Sequence, residues 1–276
     1  PVSVSRMTIT DSTPPLCSNN CFSSASPMEK ERFPTKTNYI PHGVPKEIYY
    51  PLSEEDSKKN KAKILGQDRV DHFVPLFVSR NARRKMPSDV LVSWKQFLDA
   101  LQEKHGHKKA TLLMHTDPLD NEGPNLYHVI EMLGIENNVK FSKNRVDFNE
   151  MREIYSACDT VVNRSSNEGF GLPTLEAMMC GKPIIAIKTG GLTRQVEDLE
   201  TGEQYGIALE PDVKSLVGNQ MVPFIYEDLI THEKLANAFL EMYEWGADKR
   251  KHVGMRALEH AHKDYNLNKK IGRAHV

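Results

Sequence analysis

The sequence predicts an α/β protein built on a doubly wound parallel sheet. Two observations predict it. Short apolar runs recur through the middle of the chain, and amphipathic stretches with helical spacing separate them. Apolar strands alternating with such helices imply a parallel sheet covered on both faces, wound by right-handed crossovers.

The elements follow in order. Residues 73–79 (FVPLFVS) read as a buried strand, with Pro75 as its one discordant residue. Ser88 is placed to cap a helix over 89–105, where Val90, Leu91, Trp94, Phe97, Leu98 and Leu101 share one face and Gly106 is the stop. Residues 110–115 (ATLLMH) form the next strand, 125–133 a second helix ending at Gly134, and 138–141 a short strand. A third helix, capped by Asn149, spans 149–158, and 160–163 is another strand. Residues 173–180 read as a helix, 183–187 (PIIAI) as a strand and 206–209 as a weak last strand. The stretch 204–226 is poorly patterned and reads as an insertion, whereas 231–245 and 248–262 are amphipathic packing helices.

Composition narrows the function. At 276 residues the chain is long enough for one large or two small domains. With 36 Lys and Arg against 37 Asp and Glu, the net charge of -1 argues against a general binder of nucleic acid or membrane surfaces. No apolar run approaches the ~20 residues needed to span a bilayer. The 4 cysteines do not make a disulfide scaffold: Cys158 and Cys180 sit in apolar stretches, and Cys17 and Cys21 lack the spacing of a zinc knuckle. A cytoplasmic setting is expected. No histidine–carboxylate set has metal spacing: His105 and His107 flank a helix-ending glycine, and His260 and His262 are expected on an exposed helix. The sequon Asn163-Arg164-Ser165 lies in the expected site and is not read as a glycosylation signal.

Both ends are set apart. Residues 1–37 are rich in Ser, Thr, Pro and Asn without a period, and read as an irregular remnant or disordered segment. In the tail 266–276, the last six residues (IGRAHV) back-translate to a common sequencing-library adapter, so an artefact and an open-ended fragment are expected.

In such sheets ligands bind where strands end, near the switch in strand order. The run Glu168-Gly169-Phe170-Gly171-Leu172-Pro173-Thr174-Leu175-Glu176 follows the strand 160–163 and opens a helix. The glycines permit a tight turn and close approach. Free amides at Gly171 and Leu172 then face outward at a helix N-terminus, and Pro173 suits the first turn. That arrangement favours an anion such as a diphosphate. Glu168 and Glu176 are placed to contact opposite ends of one ligand, accepting hydrogen bonds from hydroxyls.

Continued by Ala177-Met178-Met179-Cys180-Gly181-Lys182-Pro183, this run resembles the signature of the glycosyltransferases of the GT-B fold, specifically the large retaining family 4 of the group 1 type, in which a Glu is followed by a second Glu after seven residues. Ile40-Pro41-His42-Gly43-Val44 is similar to the family's interdomain linker. Leu76-Phe77-Val78-Ser79-Arg80 and Lys85 resemble its first strand and phosphate-binding Arg and Lys, and Gly190-Gly191 resembles another family loop. Three positions depart from the pattern: Ser79 and Met86 stand where the family often has Gly, and Arg194 where an acidic residue is common.

The resemblance covers about residues 38–265 and implies one half of a GT-B fold, a Rossmann-like nucleotide-sugar-binding domain. It implies a hexosyltransferase that moves sugar from a nucleotide diphosphate sugar to a hydroxyl acceptor with retention of configuration, without cofactor or metal. Glu168, Arg80 and Lys85 are the implied catalytic residues, with Glu168 on the donor sugar. Ser79, Gly169, Phe170, Gly171, Leu172 and Glu176 are the implied donor-binding set, with Glu176 on the ribose and residues 142–148 (SKNRVDF) near the base. Arg83 and Arg84 are expected to be solvated. The partners implied are a nucleotide sugar, a hydroxyl acceptor and a missing amino-terminal domain, so the fragment itself is expected to turn over weakly. Two alternatives stay open: a nucleotide-sugar epimerase of the same fold, and a non-catalytic nucleotide-sugar-binding module.

Overall fold

The computed structural model describes residues 41–265. The expectations for residues 1–37, Cys17, Cys21, Ile40 and the tail 266–276 lie outside them.

Six strands form one parallel sheet: β1 (Pro75–Val78), β2 (Leu112–His115), β3 (Val139–Ser142), β4 (Thr160–Asn163), β5 (Ile184–Ile187) and β6 (Gly206–Leu209), in the spatial order β3-β2-β1-β4-β5-β6. The order reverses between β1 and β4, so the loops leaving these two strands lie side by side. Pro75 is tolerated in this central position because it opens the strand, where a missing donor costs least. Its neighbour Val74 donates its amide to Asp159 Oδ2 at 2.8 Å, which secures the start of β1 against β4.

The helices are α1 (Glu54–Leu65), α2 (Pro87–His105), α3 (Leu126–Leu133), α4 (Phe148–Ser156), α5 (Leu172–Met179), α6 (Leu192–Val196), α7 (His232–Glu244) and α8 (Gly246–Asp264). The apolar face read on α2 is buried, and its Trp94 meets Phe239 of α7 edge-to-face with ring centroids 5.3 Å apart. Cys158 and Cys180 are core residues as read, and burial raises both thiols to about 12. No helix among the described residues is long and apolar enough to cross a membrane.

Several local expectations are corrected. Ser88 caps nothing: α2 starts with Pro87 after Met86, and the Ser88 hydroxyl has no hydrogen-bond partner. Asn149 is not the cap of α4. Asp147 is, in a reciprocal box with Glu150 at 2.9 and 3.2 Å. His260 is buried, stacked on Tyr205 at 4.2 Å, with Nε2 3.0 Å from the Arg194 carbonyl. The unpatterned stretch holds an antiparallel hairpin, β7 (Val213–Leu216) and β8 (Tyr226–Leu229). Helix α1 was not anticipated, because only Leu65 of its residues is buried and no apolar period marks it. Its signal is Ser53, whose side chain accepts from the Asp56 amide ahead of an acidic first turn.

Among the described residues, Met86 alone is a non-glycine with positive φ, at 54°. That left-handed turn joins the basic loop after β1 to α2, at one of the positions where the resemblance led to an expectation of glycine. Met86→Ile places a β-branch there and is expected to cost about 1–2 kcal/mol. Met86→Asn, whose side chain tolerates the region, is expected to cost less. Urea unfolding of the two variants checks the order.

Candidate functional site

The site is assembled from the two loops at the reversal point. The loop after β1 carries Ser79 to Lys85, and the loop after β4 carries Arg164 to Gly171. They are tied backbone to backbone: the Ser166 amide donates to the Arg84 carbonyl at 2.8 Å. Asn163, the last residue of β4, shapes the second loop by accepting from the Ser165 amide at 3.1 Å and hydroxyl at 2.7 Å.

Lys85 and Glu168 meet across these loops in a direct ion pair, with side chains 13% and 10% exposed. The Ser165 hydroxyl, whose hydrogen can serve either Asn163 or this carboxylate, lies 3.3 Å from Glu168 Oε2. Desolvation lowers the Lys85 pKa, and the charge of Glu168 opposes that shift. Arg83 and Arg84 are exposed, as expected, at 71% and 46%, yet each is also anchored to the neighbouring loops. Arg84 donates to the Asn167 carbonyl at 3.1 Å and lies 3.6 Å from Glu168. Arg83 grips the buried Glu227 of β8 with two bonds, at 2.6 and 3.2 Å.

The chain from Glu168 to Leu172 is held by glycine contacts. The Gly191 amide donates to the Glu168 carbonyl at 3.3 Å, and a Cβ on Gly191 would lie 2.6 Å from the Phe170 Cα. Gln195 of α6 donates to the Phe170 carbonyl at 2.7 Å. Gly171 adopts φ 88° just before α5, where a Cβ would strike Leu192 at 2.5 Å. Leu172 is exposed, and the first-turn amides of α5 are those a helix leaves without an internal partner. Gly169 is exposed and Ser79 half-buried on the facing loop.

Two sequence-predicted residues are engaged elsewhere. Arg80 is paired with Asp120 at 2.7 Å and Glu122 at 2.9 Å, rather than with Glu168. Those acids sit on the loop after β2, which Asn81, fully buried, holds by donating to the Pro124 carbonyl at 2.8 Å. Glu176 accepts from the Tyr155 hydroxyl at 2.7 Å and is also bonded by Tyr49. Burial raises the Glu176 pKa, the tyrosine hydroxyls opposing it, and burial together with the nearby Glu176 charge raises both tyrosines. Among the described residues, no hydrogen bond or ion pair joins this cluster to Glu168. Sequence reasoning missed Asp120, Tyr49, Tyr155 and Glu227. Each is separated by tens of residues from its partner, so only the fold reveals them. No group of three or more His, Cys, Asp or Glu among the described residues is arranged to hold a metal ion.

Residues 58–212, more than half of the chain, match the family model described as "Glycosyl transferases group 1". The chain is similar to the D-inositol 3-phosphate glycosyltransferase of Stackebrandtia nassauensis, 35% identical over 172 residues, covering 61% of this chain and 37% of that one. It is also similar to the protein of the same name from Paenarthrobacter aurescens, 30% identical over 221 residues, covering 76% and 48%. The chain thus spans less than half the length of these curated relatives. Among solved structures, Anabaena Alr3699/HepE in complex with UDP-glucose superposes with TM-score 0.64 at 22% identity, over 84% of this chain and 54% of that one. The C-terminal domain of the group 1 family glycosyl transferase LpcC from Francisella tularensis superposes with TM-score 0.58 at 22% identity, over 82% and 100%. These likenesses show the fold, a Rossmann-like half of the GT-B arrangement.

The tyrosine cluster yields a signed prediction. The Glu176 pKa is higher folded than unfolded, so its own contribution to stability is fully present below about 4.5 and is lost as pH rises through the raised value. The Tyr155 bond works the other way, since it is strongest to the ionised carboxylate. Tyr155→Phe should therefore cost about 2 kcal/mol at pH 8 and less at pH 4, read by urea unfolding at both.

Proposed function

The chain belongs to the glycosyl transferases of group 1, and on that premise we propose that residues 38–265 bind a nucleoside diphosphate sugar as donor for transfer to a hydroxyl acceptor. The observation that carries this reading is the buried Lys85–Glu168 pair beside the free first-turn amides of α5. It sets a cation, a helix terminus and a carboxylate around one place at the reversal of the sheet.

The proposed roles follow from that chemistry. The diphosphate lies at the α5 N-terminus over Gly171 and Leu172, with Lys85 and Arg80 offsetting its charge. To reach it, the Arg80 guanidinium exchanges Asp120 and Glu122 for phosphate oxygens, which suit the same bidentate geometry. Glu168 accepts hydroxyls of the donor sugar, with Gly169 and Phe170 giving close backbone approach and Ser79 closing the facing side. Glu176 takes ribose hydroxyls on lone pairs that Tyr155 and Tyr49 leave open. Residues 142–148, following β3, flank the base.

In the proposed reaction the bond from the anomeric carbon to the diphosphate oxygen breaks, and a bond from that carbon to the acceptor oxygen forms on the same face. The acceptor proton passes to the departing diphosphate, and configuration is retained. Stabilising the leaving diphosphate is the contribution of Lys85, Arg80 and the helix dipole. The acceptor is proposed to approach from a facing amino-terminal domain, so the 276-residue chain alone is expected to bind nucleotide but turn over poorly. The name of the relatives makes an inositol phosphate one acceptor to assay.

Calorimetry with UDP, GDP and ADP in EDTA tests the reading. One of the three is expected to bind, and Lys85→Ala to weaken it about tenfold or more. Glu168→Gln is expected to spare the nucleoside diphosphate while reducing the added affinity of the sugar nucleotide. Binding unaffected by Lys85→Ala would count against the site.

A further inference from the structure

We propose that a cleft beside the β7–β8 hairpin is a subsite for a polyhydroxylated ligand, with Asp228 accepting its hydroxyls; the inference rests on the nucleotide-sugar reading above. The cleft, of about 620 Å³, is lined by Gly190, Thr193, Lys188, Lys214 and Asp228 among others. It adjoins the site because Gly190 precedes Gly191, whose amide holds the Glu168 carbonyl, and the Asp228 amide donates to the Ser166 carbonyl at 2.7 Å.

Neighbouring residues of a strand project to opposite faces. On β8, Glu227 goes to Arg83 of the basic loop and Asp228 lines the cleft. The Asp228 side chain is only 6% exposed, yet its carboxylate accepts no hydrogen bond among the described residues. The nearest cation, Lys214 Nζ, is 3.8 Å away, beyond hydrogen-bond reach. With only that cation at ion-pair distance, the carboxylate keeps acceptor capacity that the described residues do not fill. An anion would be repelled by Asp228. A metal ion would face Lys214, with Lys188 beside it already shared by Glu197 and Glu210 at 3.1 and 2.6 Å. Neutral hydroxyl donors satisfy the carboxylate without either penalty, and a sugar or polyol supplies several at fixed spacing. Those hydroxyls belong either to the donor sugar or to the acceptor.

The test uses the full chain, Asp228→Ala and the shape-conserving Asp228→Asn. UDP and UDP-glucose are titrated by calorimetry, and methyl α-D-glucopyranoside is titrated without nucleotide while the backbone amide signals of Thr193, Lys214 and Asp228 are followed by NMR. If the hydroxyls are the donor's, the advantage of UDP-glucose over UDP falls about tenfold or more in Asp228→Ala, with UDP itself unchanged. If they are the acceptor's, that advantage is kept, while the glucoside shifts those three amides in the parent chain and not in Asp228→Ala. Asp228→Asn, which keeps an acceptor oxygen, shows a smaller loss in whichever arm responds. The subsite is overturned if UDP-glucose keeps its advantage and the glucoside leaves the amides unmoved or moves them equally in the variants. Failure of UDP, GDP and ADP alike to bind the parent chain would instead count against the nucleotide reading, and the glucoside arm still decides the cleft.

Discussion

The burial of Lys85 against Glu168 is the constraint on which the rest of the site depends. Each charge is nearly shut from water, and neither is tolerable there without the other. The pair can form only because β1 and β4 are neighbours in the sheet, which brings residues more than eighty positions apart to one edge. Its geometry is then held by further bonds, from the Ser166 amide to the Arg84 carbonyl and from the Arg84 guanidinium to the Asn167 carbonyl, with the Ser165 hydroxyl beside Glu168. Desolvation acts on Lys85 against its charged form, so a polyanion entering the site would add to the support that Glu168 gives that charge. A pair that is costly in the empty state and relieved by ligand is a reasonable design for a binding site.

Around that pair the backbone is packed as tightly as side chains elsewhere. Gly191 exists at its position because the Gly169–Phe170 backbone passes within contact distance, and Gly171 because the chain turns through the left-handed region before α5. The result is a helix terminus delivered to the reversal point of the sheet, with Phe170 flanked by the rings of His42 and Tyr265. The hairpin β7–β8 adds a second layer of acids, one of which, Glu227, steadies the basic loop through Arg83.

Much of this was legible in the letters. The buried strands, the face of α2, and the Gly106 and Gly134 stops follow from apolar period and left-handed glycines. The Glu168–Glu176 run was legible because its glycines, proline and acids fall in one continuous segment. What escaped reading depends on distance or on ambiguity. Helix α1 buries almost nothing, so its sequence carries no period to detect. Ser88 and Asn149 are residue types that cap helices, but Pro87 and the Asp147–Glu150 box start the helices earlier. The hairpin shows little alternation because β7 is open on both faces, with Val213 and Leu216 both exposed. The burial of His260 and the bonds of the exposed Arg83 and Arg84 escaped reading because their partners Tyr205, Glu227 and Asn167 come from other parts of the chain. Glu176 was legible as a carboxylate in the right helix, but its capture by Tyr155 and Tyr49 was not.

The central claim concerns one place in the molecule, where the loops after β1 and β4 meet the start of α5. A crystal structure of the chain soaked with UDP tests it most directly. The account predicts the diphosphate within hydrogen-bond distance of Lys85 Nζ and of a first-turn amide of α5, with the Arg80 guanidinium withdrawn from Asp120. A nucleotide bound elsewhere, with the Lys85–Glu168 pair untouched, would contradict it.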